Sequence, residues 1–526
     1  MTYTTHDRLI QALTDPSVYA HPTSEITVLQ THISWVVLTG PYAYKIKKPV
    51  NLGFVDFSTL AKRHFFCQEE LRLNRRLAPH LYLDVVAIAG TPERPRVHGQ
   101  GPPIEYAVRM VQFAQDTLLS RLIDAGQLQV AHIDHLIHEV SAFHARIAVA
   151  DPTSRFGTPE MVYQPVQENF RHLFDAIDDP VRQAHARDLE AWCQRTFAAR
   201  CPDVVARQRA GFVRECHGDL HLGNMVLLDG AVVIFDCIEF NDALRWIDVA
   251  SDVAFLTMDL EDRGRPDLAH RCLNGYLEAT GDYGLLVLLP FYLTYRALVR
   301  AKVAGIRLGQ SDLSHEEAQH MREAFGSYLD LAERSTRLSH PRLWITHGLS
   351  GSGKTFITQQ LVETTGAIRL RSDVERKRLF GLAPLEQSTG RSALDLYTPD
   401  VTRRTYAHLA QQAARVIEAG YTAVVDATFL KRAQRDAFRR LAAQLGVPCT
   451  ILACRAHLET LRRRVAQRSA QGTDASEADL TILSGQLAAI EPLTAEEHAD
   501  ALTCDTDTPQ ASQRLLDAVR ALGVEP

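Results

Sequence analysis

The chain has no Cys-x-x-Cys pair; its nine cysteines are scattered over 526 residues. That excludes the usual zinc-ribbon and dithiol spacings and reads as reduced thiols rather than a disulfide framework. Long apolar runs are also missing. The longest, Leu285 to Leu293, is too short to cross a bilayer, and Met1 to Asp7 carries neither the basic stretch nor the apolar core of a leader. A cytoplasmic protein with no membrane partner is therefore expected. There is no excess of positive charge: the net charge of −6 argues against a general nucleic-acid or membrane-surface binder. No internal repeat or low-complexity tract is visible. Lysine is scarce, with eight lysines against 49 arginines. Three of the eight are Lys45, Lys47 and Lys48 and another is Lys354, so these are places to look for chemistry.

What is present suits a folded protein of two or three units at about 150 residues each. At 46% hydrophobic and 23% charged residues, sizeable cores can form. The most informative stretch is Gly348-Leu349-Ser350-Gly351-Ser352-Gly353-Lys354-Thr355. It follows the apolar run Leu343–Thr346 and precedes a helical pattern from Phe356 to Glu363. Strand, glycine loop and helix in that order bind a polyphosphate. Successive backbone N–H groups curl around the phosphates, Lys354 reaches the β/γ-phosphates, the Thr355 hydroxyl holds Mg²⁺, and the helix N-terminus adds a positive dipole end.

Around that loop the sequence alternates strand and helix. Strands are expected at Leu343–Thr346, Ala367–Arg371, Thr422–Asp426, Cys449–Cys454 and Ala501–Cys504, with helices such as Arg403 to Ala419 and Gln434 to Leu445 between them. This is βαβ repetition, hence an α/β unit with a parallel sheet and helices on both faces. Ligands of such sheets sit beyond the carboxyl ends of the strands. There the glycine loop, Ser372-Asp373 and Asp426 converge. Asp426 suits holding or polarising Mg²⁺. Asp373, opening a helix with Arg376 one turn on, suits accepting a proton from a substrate hydroxyl; the alternative for Ser372 or Asp373 is a helix N-cap. Arg464 and Arg468 share one face of a further helix, as a lid that stabilises charge on a transferring phosphoryl group would require.

The runs GLSGSGKT, RSDVERKRL, VVDATFLKRAQRD and LRRRVAQR resemble small P-loop kinases of the gluconate kinase, polynucleotide 5′-kinase and zeta-toxin type, over roughly residues 342–510. The resemblance implies Asp373 as general base and Arg376 as a substrate-holding residue. It does not name the acceptor.

A second cluster lies far upstream: His217-Gly218-Asp219-Leu220-His221-Leu222-Gly223-Asn224, then Val232 to Asp236. Asp229-Gly230 between two apolar runs is a strong hairpin signal. A two-residue loop pairs Asn224 with Phe235 and makes Asp236 its diagonal neighbour; a one-residue bulge would put Asn224 opposite Asp236. Either register gathers an amide oxygen and a carboxylate at the hairpin's open end, which suits a hard cation. The order Asp, four residues, Asn, hairpin, Asp follows the catalytic-loop logic of protein-kinase-like phosphotransferases.

HGDLHLGN followed by IFDCIEF resembles the aminoglycoside phosphotransferase and choline kinase superfamily, over roughly residues 25–330. This implies an α+β, bilobal protein-kinase-like fold, with Asp219 as catalytic base and Asn224 and Asp236 as metal ligands. His217 is expected to clamp backbone, and His221 has no assigned role. Such a kinase needs a small-lobe lysine and a helix glutamate. Lys45 and Glu70 fit, with Lys47 and Glu69 as fallbacks, and Glu105–Met110 would lead into the hinge. Asp248 matches the family's structural acid. A glycine-rich phosphate loop before Lys45 is missing.

The expected division is therefore 1–333, a linker at 334–341, and 342–526. The order resembles bacterial fusions of an aminoglycoside phosphotransferase domain with a P-loop ATPase or kinase. That implies ATP and Mg²⁺ as cofactors and a small-molecule hydroxyl as acceptor; an antibiotic substrate does not follow. A regulatory protein with one active half, or a 5′-hydroxyl nucleic-acid kinase in the C-terminal half, are the contrasting classes. The nucleic-acid reading sits poorly with the negative charge.

Overall fold

The computed structural model describes residues 5–53, 55–177, 179–309, 313–337, 340–386, 396–471 and 474–523. The chain forms two compact units: Met1–Glu168 with Cys201–Asp259, and Asn169–Arg200 with Leu260–Pro526. This grouping differs from a division at 334–341. The helices that follow the upstream motif pack with the C-terminal sheet, so the compact unit extends well before the polar segment. Within that segment, residues 338 and 339 lie outside the described residues.

The first unit is built on a six-stranded antiparallel sheet. Its strands are β1 (Thr27–Gln30), β2 (Ser34–Leu38), β3 (Tyr42–Lys47), β4 (Tyr82–Thr91), β5 (Arg94–Val97) and β6 (Pro103–Val111), in the spatial order β1-β2-β3-β6-β4-β5. β2 and β3 turn at Gly40, whose φ of 101° favours glycine. The alternation of β3 places Ala43 and Tyr44 in buried surroundings and brings Lys45 and Lys47 to one face. Helix Leu60–Asn74, capped by the Thr59 hydroxyl, packs on that sheet through Cys67, Leu71 and the strand residues Tyr82 and Val108. Two short sheets follow. β7 (Val213–Glu215) pairs with β10 (Trp246–Asp248), and β8 (Met225–Leu228) with β9 (Ala231–Ile234). The β8–β9 loop is the two-residue Asp229-Gly230, both at positive φ (50° and 80°), as the twist of a tight hairpin demands.

The second unit carries a five-stranded parallel sheet: β11 (Leu343–His347), β12 (Ile368–Arg371), β13 (Ala423–Asp426), β14 (Cys449–Arg455) and β15 (Ala501–Asp505). The order β12-β13-β11-β14-β15 puts the strand before the glycine loop at the centre, where the crossovers change direction. All five strands fall where alternation placed them. β11 is buried at every position, as a strand covered on both faces must be. Trp344, Ile357, Leu361, Val424, Leu452 and Val519 make one core with it. Helices Lys354–Thr365, Ser372–Leu379, Pro399–Glu418 and Arg432–Leu445 follow the first three strands. Among the described residues no helix is long and apolar enough to cross a membrane.

Candidate active sites

In the first unit, the lysine cluster, helix Leu60–Asn74 and the segment after β9 meet in one ladder of alternating charge. Lys45 Nζ lies 2.5 Å from Asp236 Oδ1 and 2.9 Å from Glu70 Oε1. Lys47 Nζ lies 2.7 Å from Glu70 Oε2 and also bonds Glu239. Glu70 is therefore held from both sides, and at 0% exposure it survives as a charge only because two ammonium groups face it. Burial alone would raise its pKa; Lys45 and Lys47 overcome that and hold it below the ordinary carboxylate range. For Lys45, burial works against the charge but Asp236 and Glu70 raise it well above the usual lysine value.

The geometry separates the alternatives left open above. Glu69 turns away to Arg72, so Glu70 is the helix glutamate of the ladder. Both lysines touch Glu70, but only Lys45 also reaches Asp236, whose side chain is 39% exposed and open to a ligand. Lys47 is sealed between Glu70 and Glu239. Sequence reasoning missed Glu239 altogether; three residues past Asp236 in Phe235-Asp236-Cys237-Ile238-Glu239, it had no local signal.

The catalytic-type loop is braced by side chains. Asn224 Nδ2 donates to Asp219 Oδ2 (2.9 Å) and to the Asp219 carbonyl (3.0 Å). Phe235 N–H donates to the Asn224 carbonyl at 2.9 Å, which fixes the two-residue register and leaves Asp236 diagonal to Asn224. Asp236 has φ 63°, a left-handed backbone that carries the chain sharply out of the hairpin. His221, unassigned from sequence, faces Asp219: its Nε2 is 3.3 Å from Asp219 Oδ2, while its Nδ1 accepts from Gly223 N–H at 3.1 Å. In a neutral ring that leaves the proton on Nε2, pointed at Asp219. His217 is fully buried with Nε2 2.9 Å from the Phe235 carbonyl, and burial lowers its pKa.

One expectation is corrected. The acid that holds this loop is Asp252 rather than Asp248. Asp252 accepts from His217 N–H and Gly218 N–H, both at 2.9 Å, and His144 Nε2 stands 3.3 Å away. Asp248 instead pairs with Arg207 at 2.6 Å. The two acids are four residues apart, Asp248 ending β10 and Asp252 in the first turn of the helix that follows, so spacing alone could not tell which would face the loop.

In the second unit the glycine loop leaves β11 and enters helix Lys354–Thr365. Gly351 and Gly353 have φ 82° and 81°, and a Cβ on Gly351 would stand 2.8 Å from the Leu461 carbonyl. Only glycine fits there. Lys354 Nζ bonds the Gly348 and Leu349 carbonyls at 3.1 and 2.9 Å, and burial lowers its pKa. Thr355 Oγ1 donates to Asp426 Oδ2 at 2.8 Å, with Thr358 Oγ1 3.3 Å from the same oxygen. Ser350 N–H donates to Gln486 Oε1 at 2.8 Å.

A cavity of about 600 Å³ opens beside the loop, lined by Lys354, Thr355, Asp373, Arg376, Asp426 and Arg468 among others. Asp373 sits in the first turn of helix Ser372–Leu379, but Arg371 occupies the cap position, so its carboxylate is not taken up in capping. It accepts from Arg376 Nη1 at 2.6 Å. Burial would raise its pKa, yet Arg376, Ser476, Arg371 and Arg468 together hold it below the ordinary value. Arg464 and Arg468, expected as a pair, part company. Arg468 lines the cavity and bonds the Ala478 carbonyl at 2.9 Å. Arg464 instead holds the glycine loop from behind, donating to the Gly351 carbonyl (3.2 Å) and to Thr506 Oγ1 and O (both 2.8 Å).

Both sites offer hard oxygen donors of the kind Mg²⁺ takes. In the first unit these are the Asn224 amide oxygen, left over when its NH₂ bonds Asp219, and the exposed Asp236 carboxylate. In the second they are Thr355 Oγ1 and Asp426, already in contact.

Comparison with known proteins agrees with this division of chemistry. Residues 61–286 match the model of the phosphotransferase enzyme family, and residues 343–493 match an AAA domain model. The chain joins a phosphotransferase-family domain to a P-loop domain. It is a phosphotransferase. An uncharacterized protein of Mycobacterium tuberculosis (strain H37Rv) is 29% identical over 467 residues, covering 88% of this chain and 91% of its own. An uncharacterized protein of Mycobacterium bovis matches to the same extent. The aligned stretch exceeds either domain, so the two-domain order is shared. Two solved structures are similar to parts of the chain. The amicoumacin kinase hAmiN in complex with AMP-PNP, Ca²⁺ and Ami is 14% identical, covering 61% of this chain and 93% of its own, with a TM-score of 0.38. A gluconokinase from Sinorhizobium meliloti is 21% identical, covering 35% of this chain and 94% of its own, with a TM-score of 0.26. The phosphotransferase-family match ends among the helices that belong to the same compact unit as the P-loop domain.

Proposed function

We propose that both domains are active kinases, each transferring the γ-phosphoryl group of Mg·ATP to a hydroxyl of a small molecule. The observation that carries the reading is that each site holds three elements at once. These are a carboxylate with no metal-binding duty, a buried lysine for the phosphates, and oxygen donors for a cation. In the phosphotransferase-family domain Asp219 would take the acceptor proton, oriented by Asn224 and His221. Lys45, fixed by Glu70, would hold the nucleotide phosphates, and Asn224 and Asp236 would hold Mg²⁺. In the P-loop kinase domain Asp373 would be the base and Arg376 a substrate contact. The loop N–H groups and Lys354 would cradle the phosphates, and Thr355 and Asp426 would hold Mg²⁺. Arg468 would face the transferring group, and Arg464 would keep the loop in shape. The cation, when bound, neutralises charge on the β- and γ-phosphates. A division near 334–341 and a cytoplasmic location belong to the same reading.

The test is transfer of labelled γ-phosphate from ATP to a panel of sugars, amino alcohols, aminoglycosides and 5′-hydroxyl oligonucleotides, with the full chain and its Asp219→Asn and Asp373→Asn variants. Each variant should lose about 10²–10⁴-fold of one transfer reaction and keep the other. Two variants affecting the same reaction, or neither affecting any, would return one half to a regulatory role.

A further inference from the structure

The parallel sheet has β12 at one edge, and an edge strand leaves alternate N–H and C=O groups unpaired. In β12, Ile368 N–H donates inward to the Thr422 carbonyl, so the Arg369 N–H and the Ala367 carbonyl face outward. Neither is left open. Asn274, in helix Pro266–Thr280 of the same compact unit, meets both: Arg369 N–H donates to Asn274 Oδ1 at 2.8 Å, and Asn274 Nδ2 donates to the Ala367 carbonyl at 3.0 Å. One side-chain amide thus takes the place of a neighbouring strand. One turn on, Glu278 receives the two arginines of that strand, Arg371 Nη1 at 2.9 Å and Arg369 Nη2 at 3.3 Å.

The contacts continue into the helix that carries Asp373. Tyr283 OH lies 3.2 Å from Glu375 Oε1, and Arg378 donates to the Glu278 carbonyl. On the other side, Arg271 pairs with Glu363 at 2.6 Å, and His270 sits against Gly366, where a Cβ would come within 2.9 Å of its ring. Helix Pro266–Thr280 falls inside the phosphotransferase-family match, while β12 and the helix Ser372–Leu379 fall inside the P-loop match.

The geometry points to helix Pro266–Thr280 as a working part of the P-loop site, with Asn274 closing the sheet edge and Glu278 as the positioning residue for Arg371. Arg371 lines the cavity two residues before Asp373, and its other amino group is 3.3 Å from both oxygens of Asp474, also in the cavity wall. Glu278 fixes where that guanidinium lies and neutralises part of its charge, so the base is flanked by a set cation rather than a wandering one. The fusion would then supply a missing edge strand and one wall residue's anchor, beyond tethering two enzymes. The positioning role rests on the phosphoryl-transfer reading above; the edge pairing does not.

Two measurements on the full chain separate them. In Asn274→Ala, hydrogen exchange at the Arg369 amide should accelerate about tenfold or more while β11 stays protected. In Glu278→Gln, in an Asp219→Asn background that silences the first domain, ATP turnover with water as acceptor should fall roughly 10- to 100-fold. The KM for ATP should move less than about twofold, because Glu278 addresses Arg371 and not the nucleotide. Unchanged exchange at Arg369 in Asn274→Ala would overturn the edge pairing. Unchanged kcat in Glu278→Gln, or a loss confined to KM, would overturn the positioning role. A parent protein without any turnover from the P-loop domain would instead refute the catalytic reading and with it the positioning role, leaving the exchange experiment to judge the edge.

Discussion

The two phosphate sites of this chain solve one problem by opposite means. In the P-loop domain the binding surface is contiguous: eight residues, three of them glycines at positive φ, present backbone N–H groups, and Lys354 leans only on two carbonyls of its own loop. In the phosphotransferase-family domain the surface is assembled from three distant segments. Asp236, Lys45, Glu70, Lys47 and Glu239 form an alternating row in which each inner member has two partners. A backbone cradle survives the loss of its lysine, whereas a buried charge row depends on every member, since an unpaired buried ion is expensive. The lysines of the two sites should therefore differ in what they do for stability even where their roles toward ATP are alike.

The sharpest way to break that comparison is substitution of the paired lysines. Lys354→Ala should reduce turnover of the P-loop domain roughly 10²–10³-fold, the size of one lost charge-stabilising contact. Its unfolding free energy should stay nearly unchanged. Lys45→Ala should lose turnover of the first domain to a similar extent and also lower its denaturant midpoint. Equal stability losses for the two variants would undo the contrast. Glu70→Ala goes further in stability, because it leaves Lys45 and Lys47 facing one another in the interior; about 3–5 kcal/mol is expected in chemical denaturation.

Acid sharpens the same point. The folded-state pKa of Glu70 is depressed below its ordinary value of 4.5, so its contribution to stability is present above that value and lost as the pH falls below it. Glu70→Gln should flatten the acid limb of the stability profile of the first domain, read by denaturation from pH 7 down to pH 3. An unaltered acid limb would show that Glu70 does not carry it. A smaller effect is expected at Asp252. Asp252→Ala orphans the His217 and Gly218 N–H groups, each buried, at about 1–3 kcal/mol, and should loosen the loop that carries Asp219. Smallest is Gly230→Ala at the hairpin turn. With φ 80° and open space around the would-be Cβ, only backbone strain opposes it, at about 1 kcal/mol.

The contrast also explains what could be read from the sequence. The glycine loop was legible because its residues are consecutive and each is dictated by backbone geometry. The five parallel strands were legible because a strand buried on both faces must be apolar throughout. At β8–β9 the Asp229-Gly230 turn was legible, but a two-residue loop and a one-residue bulge both fitted it, and only the Phe235 N–H to Asn224 carbonyl bond decides between them. Lys45 and Glu70 were legible only as candidates, since which lysine and which glutamate meet depends on how a helix lies on a sheet. Glu239, Asp252 and His221 were missed or misassigned for the same reason: each is defined by a partner brought close by packing, with no periodic or motif signal of its own. Arg464 illustrates the converse. It shares a helical face with Arg468, but the carbonyls of Gly351 and Thr506 claim it before the cavity can.

The central claim is two Mg·ATP sites on one polypeptide, and calorimetric titration of the full chain with a non-hydrolysable Mg·ATP analogue tests it most directly. The account predicts two nucleotides per chain, falling to one in Lys354→Ala and to one in Asp236→Ala, with the surviving site different in each. A wild-type stoichiometry of one would contradict it.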